Sequence, residues 1–219
     1  MLSESISLEF ANTAGWHAGP DPIEHLTSYG GAIDWAREHG VLSEDQTRAL
    51  KEQAQAHPDR AATAMSRIIA LREAVYRLFS AVSHRRQPGA ADLETLNAEL
   101  AAALPHLRLV ATDGGEADDG SRGTAGLPGF RWTWVDLEDH LTSLLWPVAR
   151  DATELLTSNR LVQVRECADD TCGWLFLDLS KNASRRWCNM ADCGNRAKAR
   201  RYRARKKATQ ETPETGDLR

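Results

Sequence analysis

The four cysteines are the residues whose type and spacing most directly indicate chemistry. Cys167, Cys172, Cys188 and Cys193 are the only cysteines in the 219-residue chain, and they follow the spacing C-x4-C-x15-C-x4-C. The two pairs lie in similar frames, CADDTCG and CNMADCG, which both end in Cys-Gly. A thiolate knuckle needs a tight turn after its second cysteine, and glycine permits the positive φ that such a turn often requires. The spacing therefore predicts one metal site formed by all four cysteines.

Zinc is the expected metal, because four thiolates around Zn²⁺ make a closed tetrahedral structural site. No histidine follows His140, so no nearby imidazole competes as a ligand. Iron in the same cage is an alternative. Redox sensing, with zinc released when the thiolates are oxidised, is another, although closed sites resist it. Four buried free cysteines would be the remaining interpretation, but it leaves the paired Cys-Gly frames unexplained.

The cysteines are expected to lie on a small unit ordered as knuckle, strand, connector, knuckle and helix, which resembles a treble-clef zinc finger. The segments RLVQVREC and WLFLDL are strand candidates, and the chain turns helical from Gly194. A unit of about forty residues buries too little surface to fold alone. Metal binding is expected to supply roughly 10–16 kcal/mol of apparent folding free energy. The residues expected to form its small core are Trp174, Leu175, Phe176 and Trp187.

A block of basic residues surrounds the second cysteine pair. Residues 181–207 contain eleven Lys and Arg and a single acid, Asp192, although the net charge of the chain is −4. Like charges one helical turn apart repel, and a polyanion relieves that repulsion. Lys and Arg beside phosphates also release counterions, which gives salt-dependent affinity. The predicted nucleic-acid contacts are Arg185, Arg186, Arg196, Lys198, Arg200, Arg201, Arg203, Arg205, Lys206 and Lys207.

Three interpretations of these basic residues stay open at the level of sequence. Phosphate contact is favoured for any one arginine, but spacing does not separate it from guanine readout in the major groove. A solvated helix end is the usual interpretation of a charge block. Arg196 has its own alternative, because so near the metal it could hold a carboxylate such as Asp178.

The preceding part of the chain is predicted to be mainly helical. Asp21-Pro22 is predicted to start a helix that Gly30-Gly31 interrupts, and Ser43 opens the capping box S-x-x-Q. Asp136 is expected to cap a helix that extends to about Thr157 and is kinked or split at Pro147. Further helices are predicted at about residues 32–40, 43–57, 58–86 and 91–104.

Two segments, HLRLVAT and GFRWTWVD, alternate with period two and predict a strand pair joined by a Gly- and Asp-rich loop. The predicted fold class is α+β, mainly α. A helical N-terminal domain with a small β-hairpin, residues 1–160, precedes a treble-clef-like zinc finger, residues 161–207, that ends in a basic helix. Residues 208–219 are predicted to be a disordered tail.

The N-terminal part offers candidate groups for a small-molecule pocket. Asn12, Trp16 and His17 are close in sequence, and Trp132 and Trp134 share one face of a strand. The favoured alternative is that the tryptophans are core residues and that His17 is a satisfied polar residue. Formation of a homodimer through the helices is equally compatible with the sequence, because DNA readers are often two-fold symmetric.

The sequence lacks the motifs that are typical of several function classes. There is no G-x-S-x-G, H-E-x-x-H or phosphate-loop motif, so we expect no enzyme. No run of eighteen apolar residues and no signal-peptide pattern occur, so no membrane association is expected. The cytoplasm, where thiols stay reduced, is the expected compartment.

The segment from Cys167 to Lys207 resembles the CGNR zinc finger, which is named for the tetrapeptide seen here at residues 193–196. The segments LEFANTAGW and HLTSYGGAIDWAREHGVL resemble the ABATE domain that usually accompanies it, described as a stress-induced transcription regulator. The resemblance implies a bacterial transcription factor whose four cysteines bind zinc and whose finger binds DNA. The alternatives are an RNA- or ribosome-binding module using the same helix, and a small-molecule-binding body with a structural finger.

Overall fold

The computed structural model of the chain describes residues 5–112 and 129–210. Within them, seven helices and three two-stranded antiparallel sheets confirm the mainly helical α+β class. The helices are α1 Ile6–Ala11, α2 Tyr29–Glu38, α3 Glu44–Ala56, α4 Pro58–Ser83, α5 Ala90–Ala103, α6 Leu145–Thr157 and α7 Asn195–Gln210. The strands are β1 Ala14–Gly15, β2 Ile23–Glu24, β3 Leu107–Thr112, β4 Gly129–Trp134, β5 Val164–Glu166 and β6 Leu175–Leu177.

The capping and hairpin signals are confirmed. The Ser43 hydroxyl accepts a hydrogen bond from the Gln46 backbone N–H at 3.2 Å, and the Gln46 side chain accepts one from the Ser43 N–H at 2.9 Å. These bonds satisfy two N–H groups that a helix start leaves unpaired. Strands β3 and β4 pair in the predicted hairpin, with Leu109 opposite Trp132.

The predicted helix start at Asp21-Pro22 is wrong. Ile23–Glu24 forms β2, which pairs with β1, and α2 begins instead at Tyr29. The Ser28 hydroxyl caps α2 by accepting the Gly31 N–H at 3.1 Å. The predicted interruption at Gly30-Gly31 is also wrong, because both glycines lie in the first turn of α2.

The predicted helix start at Asp136 is wrong, and so is the predicted kink or split at Pro147. Asp136 adopts a left-handed conformation with φ of 61° and makes no side-chain cap, and a short 3₁₀ turn, Leu137–Asp139, follows it. Helix α6 starts only at Leu145, so Pro147 lies in its first turn, where a missing N–H costs no helical hydrogen bond.

Two predicted irregular segments fall largely outside the description. Residues 113–128, which contain most of the Gly- and Asp-rich loop, and residues 211–219 of the predicted tail lie outside the described residues. Within the described part, α7 continues to Gln210, three residues beyond the predicted boundary at Lys207.

One apolar core joins the helices and the sheet that carries the first cysteine pair. Leu71 and Leu78 of α4 are fully buried in it, together with Phe10 of α1. Leu175 and Leu177 of β6 belong to the same cluster. The finger therefore packs directly on the N-terminal helices. In the described part of the chain, no helix is long and apolar enough to cross a membrane.

Candidate metal centre and basic helix

The structure brings the four cysteine sulfurs together. All four Sγ atoms lie within 4.8 Å of one another. The Cys172 and Cys188 sulfurs are 3.6 Å apart, and those of Cys188 and Cys193 are 3.7 Å apart. A tetrahedral zinc with Zn–S bonds of about 2.3 Å places its sulfurs about 3.8 Å apart. The spacing of the sulfurs therefore fits a single Zn²⁺ ion, and the prediction of zinc is confirmed.

The crowding of these thiols also favours a cation. Hydrogen bonds to Cys167 and Cys172 raise the pKa of the Cys188 thiol, and burial raises it further. Cys167, Cys172 and Cys193 are themselves buried, so four thiolates cannot share this space without positive charge. Zn²⁺ supplies that charge and holds all four sulfurs as thiolates.

The first knuckle makes the tight turn predicted from its Cys-Gly pair. Gly173 has a φ of +70°, a conformation that L side chains rarely adopt. A Cβ atom at this position would lie 2.7 Å from the backbone nitrogen of Ala18. Glycine is therefore required here both by the turn and by the close approach of the N-terminal segment.

The second knuckle also requires a glycine, but for a different reason. Met190–Gly194 forms a single π-helical turn, and Gly194 does not adopt a positive φ. Its lack of a side chain instead admits Met190, whose sulfur would lie 2.5 Å from an added Cβ. This turn runs directly into α7, so Cys193 fixes the start of that helix. Thiolate charge also complements the positive end of the helix dipole.

The predicted core of the finger is partly wrong. Phe176 and Trp187 pack around the cysteines as expected. Trp174 is 39% exposed, and Leu175 packs into the main core instead. The additional aromatic ring against the cysteines is Trp16, from the N-terminal part. The sheet of β5 and β6 lies against the N-terminal helices, and that packing removes Leu175 from the finger's own core.

Hydrogen bonds to the backbone of the finger join it to the N-terminal segment. The Asn12 amide donates to the Leu175 carbonyl at 2.9 Å and accepts the Leu175 N–H at 2.8 Å. The His17 N–H donates to the Cys172 carbonyl at 3.0 Å. Asn12 is buried, and its side chain pairs with the backbone of β6 as a neighbouring strand would. Both polar atoms of the side chain therefore already have partners.

One of the two ring nitrogens of His17 has a hydrogen-bond partner. Its Nε2 atom lies 2.9 Å from the Glu73 carboxylate, and its ring meets Tyr76 edge-on with centroids 3.6 Å apart. The hydrogen bond with His17, helped by Arg72, lowers the pKa of Glu73 to about 2. The His17 Nδ1 atom is buried without a hydrogen-bond partner among the described residues.

The two hairpin tryptophans lie apart from Trp16. Trp134 packs near the buried Trp146, with ring centroids 6.1 Å apart. Trp132 is 52% exposed, and the Arg150 guanidinium lies 5.2 Å from its ring centre. Neither tryptophan lines the cavity that Trp16 borders. The structure therefore does not bring the five predicted pocket residues together.

Three basic residues, Arg185, Arg196 and Arg200, turn their guanidinium groups toward the metal centre, and we call them the inner arginines. Arg200 donates to the Asp169 carboxylate at 3.1 Å, and the Arg196 Nε lies 3.7 Å from the same oxygen. The Asp169 side chain is fully buried. Burial raises its pKa, but the hydrogen bonds from Arg200 and Thr171 outweigh this and hold the pKa below its usual value.

Arg196 has two further contacts. Its guanidinium donates to the Cys193 sulfur at 3.2 Å and lies 3.9 Å from the centre of the Trp16 ring. The carboxylate predicted for Arg196 is wrong, because the structure pairs Arg196 with Asp169 and not with Asp178. Asp178 is a buried acceptor for the backbone N–H groups of Ser180 and Arg185.

Arg185 holds the connector between the two knuckles against the second knuckle. Its side chain donates to the carbonyls of Trp187 and Cys188, and its guanidinium lies 4.5 Å from the Phe176 ring centre. Arg186 is exposed, with its guanidinium 5.2 Å from the Trp187 ring centre.

The structure describes the side chains of five further cations of α7. We call Lys198, Arg201, Arg203, Arg205 and Lys206 the outer cations; all five are exposed. Within the described residues, Lys198, Arg203 and Lys206 have no acidic partner, and Arg201 contacts only a helix carbonyl, that of Ala197. Lys207 belongs to α7, but its side chain lies outside the description.

Sequence reasoning missed two residues of this centre. Asp169 lies within the first cysteine frame, where its neighbour Asp170 offers the same chemistry, and nothing local distinguishes the buried acid. Trp16 is 180 positions from Arg196, and no sequence spacing predicts their contact. The sequence shows Trp16 at the end of LEFANTAGW, but it does not show that the ring lies against Arg196.

A helical domain joined to a four-thiolate centre and a basic helix defines a zinc-finger protein with an attached regulatory domain. Comparison with family models supports this assignment. Residues 4–159 match the ABATE family, described as "Putative stress-induced transcription regulator", and residues 163–206 match the CGNR zinc finger. The chain belongs to the ABATE family and is a zinc-binding regulatory protein. No curated protein matches it.

Proposed function

We propose that the protein is a transcription regulator that binds DNA through α7. The observation that carries this proposal is the exposure of α7 beyond the metal centre. Every residue from Lys198 to Lys206 is exposed, and none of the nine is acidic. The six basic side chains of this exposed helical segment repel one another, and a polyanion would compensate their charge.

The charge distribution of the whole chain supports the same proposal. The overall net charge of −4 includes the strongly basic segment of residues 181–207, so the rest of the chain is acidic. An acidic body repels DNA, and the basic helix attracts it. Such a polarised molecule is steered to approach a polyanion with α7 first.

Duplex DNA is a better match for α7 than duplex RNA. The helix has 16 residues and is about 24 Å long. The major groove of B-DNA, about 12 Å wide, admits an α-helix, whereas the major groove of A-form RNA is too narrow for side-chain readout. In this proposal the outer cations contact phosphates, and two of the inner arginines, Arg196 and Arg200, hold the helix against Asp169.

We further propose that the protein acts without catalysing a reaction and acts in the cytoplasm, where thiols remain reduced and available to zinc. The N-terminal helices would then receive a signal. Their shared core with the finger offers a route by which a change in the helices can reach α7.

The experiment that tests this proposal is selection from genomic DNA. Zinc-loaded protein is incubated with sheared genomic DNA at moderate salt, and the recovered fragments are sequenced. The proposal predicts enrichment of a few sites that share a short motif, and a two-fold motif would indicate a dimer. The matched variants are Arg203→Ala with Lys206→Ala, which should lose recovery, and the exposed body arginine variant Arg48→Ala, which should not.

The outcomes of this selection separate the alternatives. Uniform recovery that disappears as salt rises would mean that α7 only binds phosphates, without sequence preference. Failure to recover DNA, combined with retention of structured RNA in a parallel selection, would contradict the proposal in favour of the RNA-binding alternative.

A further inference from the structure

A cavity of about 650 Å³ lies where the N-terminal segment meets the metal centre and the start of α7. Its volume is within the range typical of small-molecule sites, about 300–1,000 Å³. The residues that give it chemical character are Trp16, His25, Trp174, Asn189, Asn195 and Arg196. None of the outer cations is part of its wall, so the proposed DNA contact does not use it.

The wall offers an aromatic platform. Trp174 is 39% exposed although it lies next to buried strand β6. No ring or guanidinium is stacked on it within the part of the chain that the structure describes. Trp16, across the finger boundary, is already in contact with Arg196. A flat ligand would therefore find its open stacking surface on Trp174.

Two amide side chains of the wall also offer an unused donor and an unused acceptor. The Asn189 Oδ1 accepts the Ala191 N–H at 2.8 Å, which leaves its Nδ2 group for a ligand. The Asn195 Nδ2 donates to the Ala191 carbonyl at 2.9 Å, which leaves its Oδ1 atom. Both amides are oriented by bonds to the same residue. The two free atoms suit a ligand that presents an acceptor and a donor.

The charges around the cavity favour a neutral ligand. Arg196 contacts the Asp169 carboxylate and the Cys193 sulfur, which offset its positive charge. Asp192, an exposed acid, also lines the cavity. Four thiolates with one Zn²⁺ carry a formal negative charge at its floor. A carboxylate or phosphate placed here would face net negative charge.

We propose that this cavity binds a neutral, planar heterocycle of the nucleobase type, stacked on Trp174 and hydrogen-bonded to Asn189 and Asn195. The base has two sources, a free nucleoside or an unpaired base of a nucleic acid. Because Arg196 and Ala199 of α7 line the cavity together with Trp16, a ligand there touches both domains. Occupancy would thus alter the placement of α7, a consequence that rests on the proposed function.

The test is calorimetric titration of the zinc-loaded full chain with adenosine and with guanosine. Wild-type protein should bind at least one nucleoside. Trp174→Leu should bind it about tenfold more weakly, because stacking on an aromatic ring contributes about 1–3 kcal/mol. Trp174→Phe should recover most of the affinity. The exposed hairpin variant Trp132→Leu should bind like wild type. Zinc content and circular dichroism check that each variant is folded.

A second arm distinguishes the source of the base. If the base comes from a nucleic acid, neither nucleoside binds, yet Trp174→Leu weakens binding of a single-stranded oligonucleotide and leaves duplex affinity unchanged. The inference is overturned if Trp174→Leu binds nucleosides and single strands as wild type does, or if the wild-type protein binds neither nucleosides nor single strands. The nucleoside titration contains no DNA, so its outcome is independent of whether α7 binds a duplex.

Discussion

The inner arginines and the outer cations share one short stretch of sequence but have opposite surroundings. Arg200 lies 3.1 Å from the buried carboxylate of Asp169, whereas Arg203, less than one turn further, is exposed and has no acidic partner among the described residues. The difference teaches that residue type does not assign a role within a basic block. The role of each cation of α7 instead follows from its distance from the metal centre along the helix.

The geometry of α7 explains where the division falls. The helix begins at Asn195, immediately after the knuckle that contains Cys193, and rises about 1.5 Å per residue. Arg196 and Arg200 are one turn apart on the face toward Asp169, so both reach it. Arg203 continues the same face, but it lies about 4.5 Å further along the helix axis than Arg200 and has no acidic partner among the described residues. The metal centre therefore fixes the start of a helix whose outer cations are exposed.

Removal of one metal ligand should abolish both roles. We expect Cys188→Ser to lose zinc and unfold the finger, because metal binding supplies roughly 10–16 kcal/mol of apparent folding free energy in such units. Metal analysis and fluorescence anisotropy with labelled DNA measure the two losses. Wild-type protein treated with a chelator should lose binding and regain it when zinc returns. DNA binding retained by the variant would show that metal does not organise α7.

Removal of the Asn12 amide should destabilise the junction between the N-terminal segment and the finger. Asn12→Ala leaves the buried N–H and C=O of Leu175 without their side-chain partners. We expect the free energy of unfolding to fall by about 2–4 kcal/mol, measured by urea denaturation. Asn97→Ala, on the exposed side of α5, is the control and should stay within about 0.5 kcal/mol. An equal loss in both variants would contradict the role assigned to Asn12.

Substitution of an inner arginine should lower the free energy of unfolding and change the salt dependence of DNA binding only slightly. Arg200→Ala weakens the compensation of the buried Asp169 charge, and because Arg200 is 44% exposed we expect a loss of only about 1–2 kcal/mol. Sequence alone suggests a phosphate contact for this residue; its pairing with Asp169 predicts instead that the slope of log K against log salt changes little. A drop of about one unit in that slope would move Arg200 into the DNA interface.

The outer cations should show the reverse pattern, and the effect of a single residue should be small. Arg203→Ala is expected to reduce the salt slope by about 0.9 and to change the free energy of unfolding by less than about 0.5 kcal/mol. Salt titrations of DNA binding and urea denaturation of the same sample give both values. A destabilised Arg203→Ala with an unchanged salt slope would remove the distinction between the two groups.

Local patterns predict much of this molecule. The paired Cys-Gly frames predict the metal site, the S-x-x-Q box predicts the start of α3, and alternation predicts the β3–β4 hairpin. Each of these signals lies within a few residues of the structure that it specifies. The sequence also locates the basic helix, because its charge is contiguous with the second knuckle.

The remaining features depend on packing between distant segments. Arg200 pairs with Asp169 across 31 positions, and Asn12 binds Leu175 across 163. Trp174 is exposed because β6 directs Leu175 and Leu177 into a core shared with the N-terminal helices. No local periodicity encodes how a finger lies on its neighbouring domain. For the same reason the sequence places five candidate pocket residues together although the structure separates them.

The most direct test of the central claim is the salt dependence of wild-type binding to duplex DNA. Fluorescence anisotropy from about 50 to about 300 mM salt gives log K against log salt. If all five outer cations contact phosphates, the line should be straight with a slope of about −4 to −5. A flat line, or binding that disappears only when zinc is removed and never with salt, would contradict the proposal that α7 holds the DNA backbone.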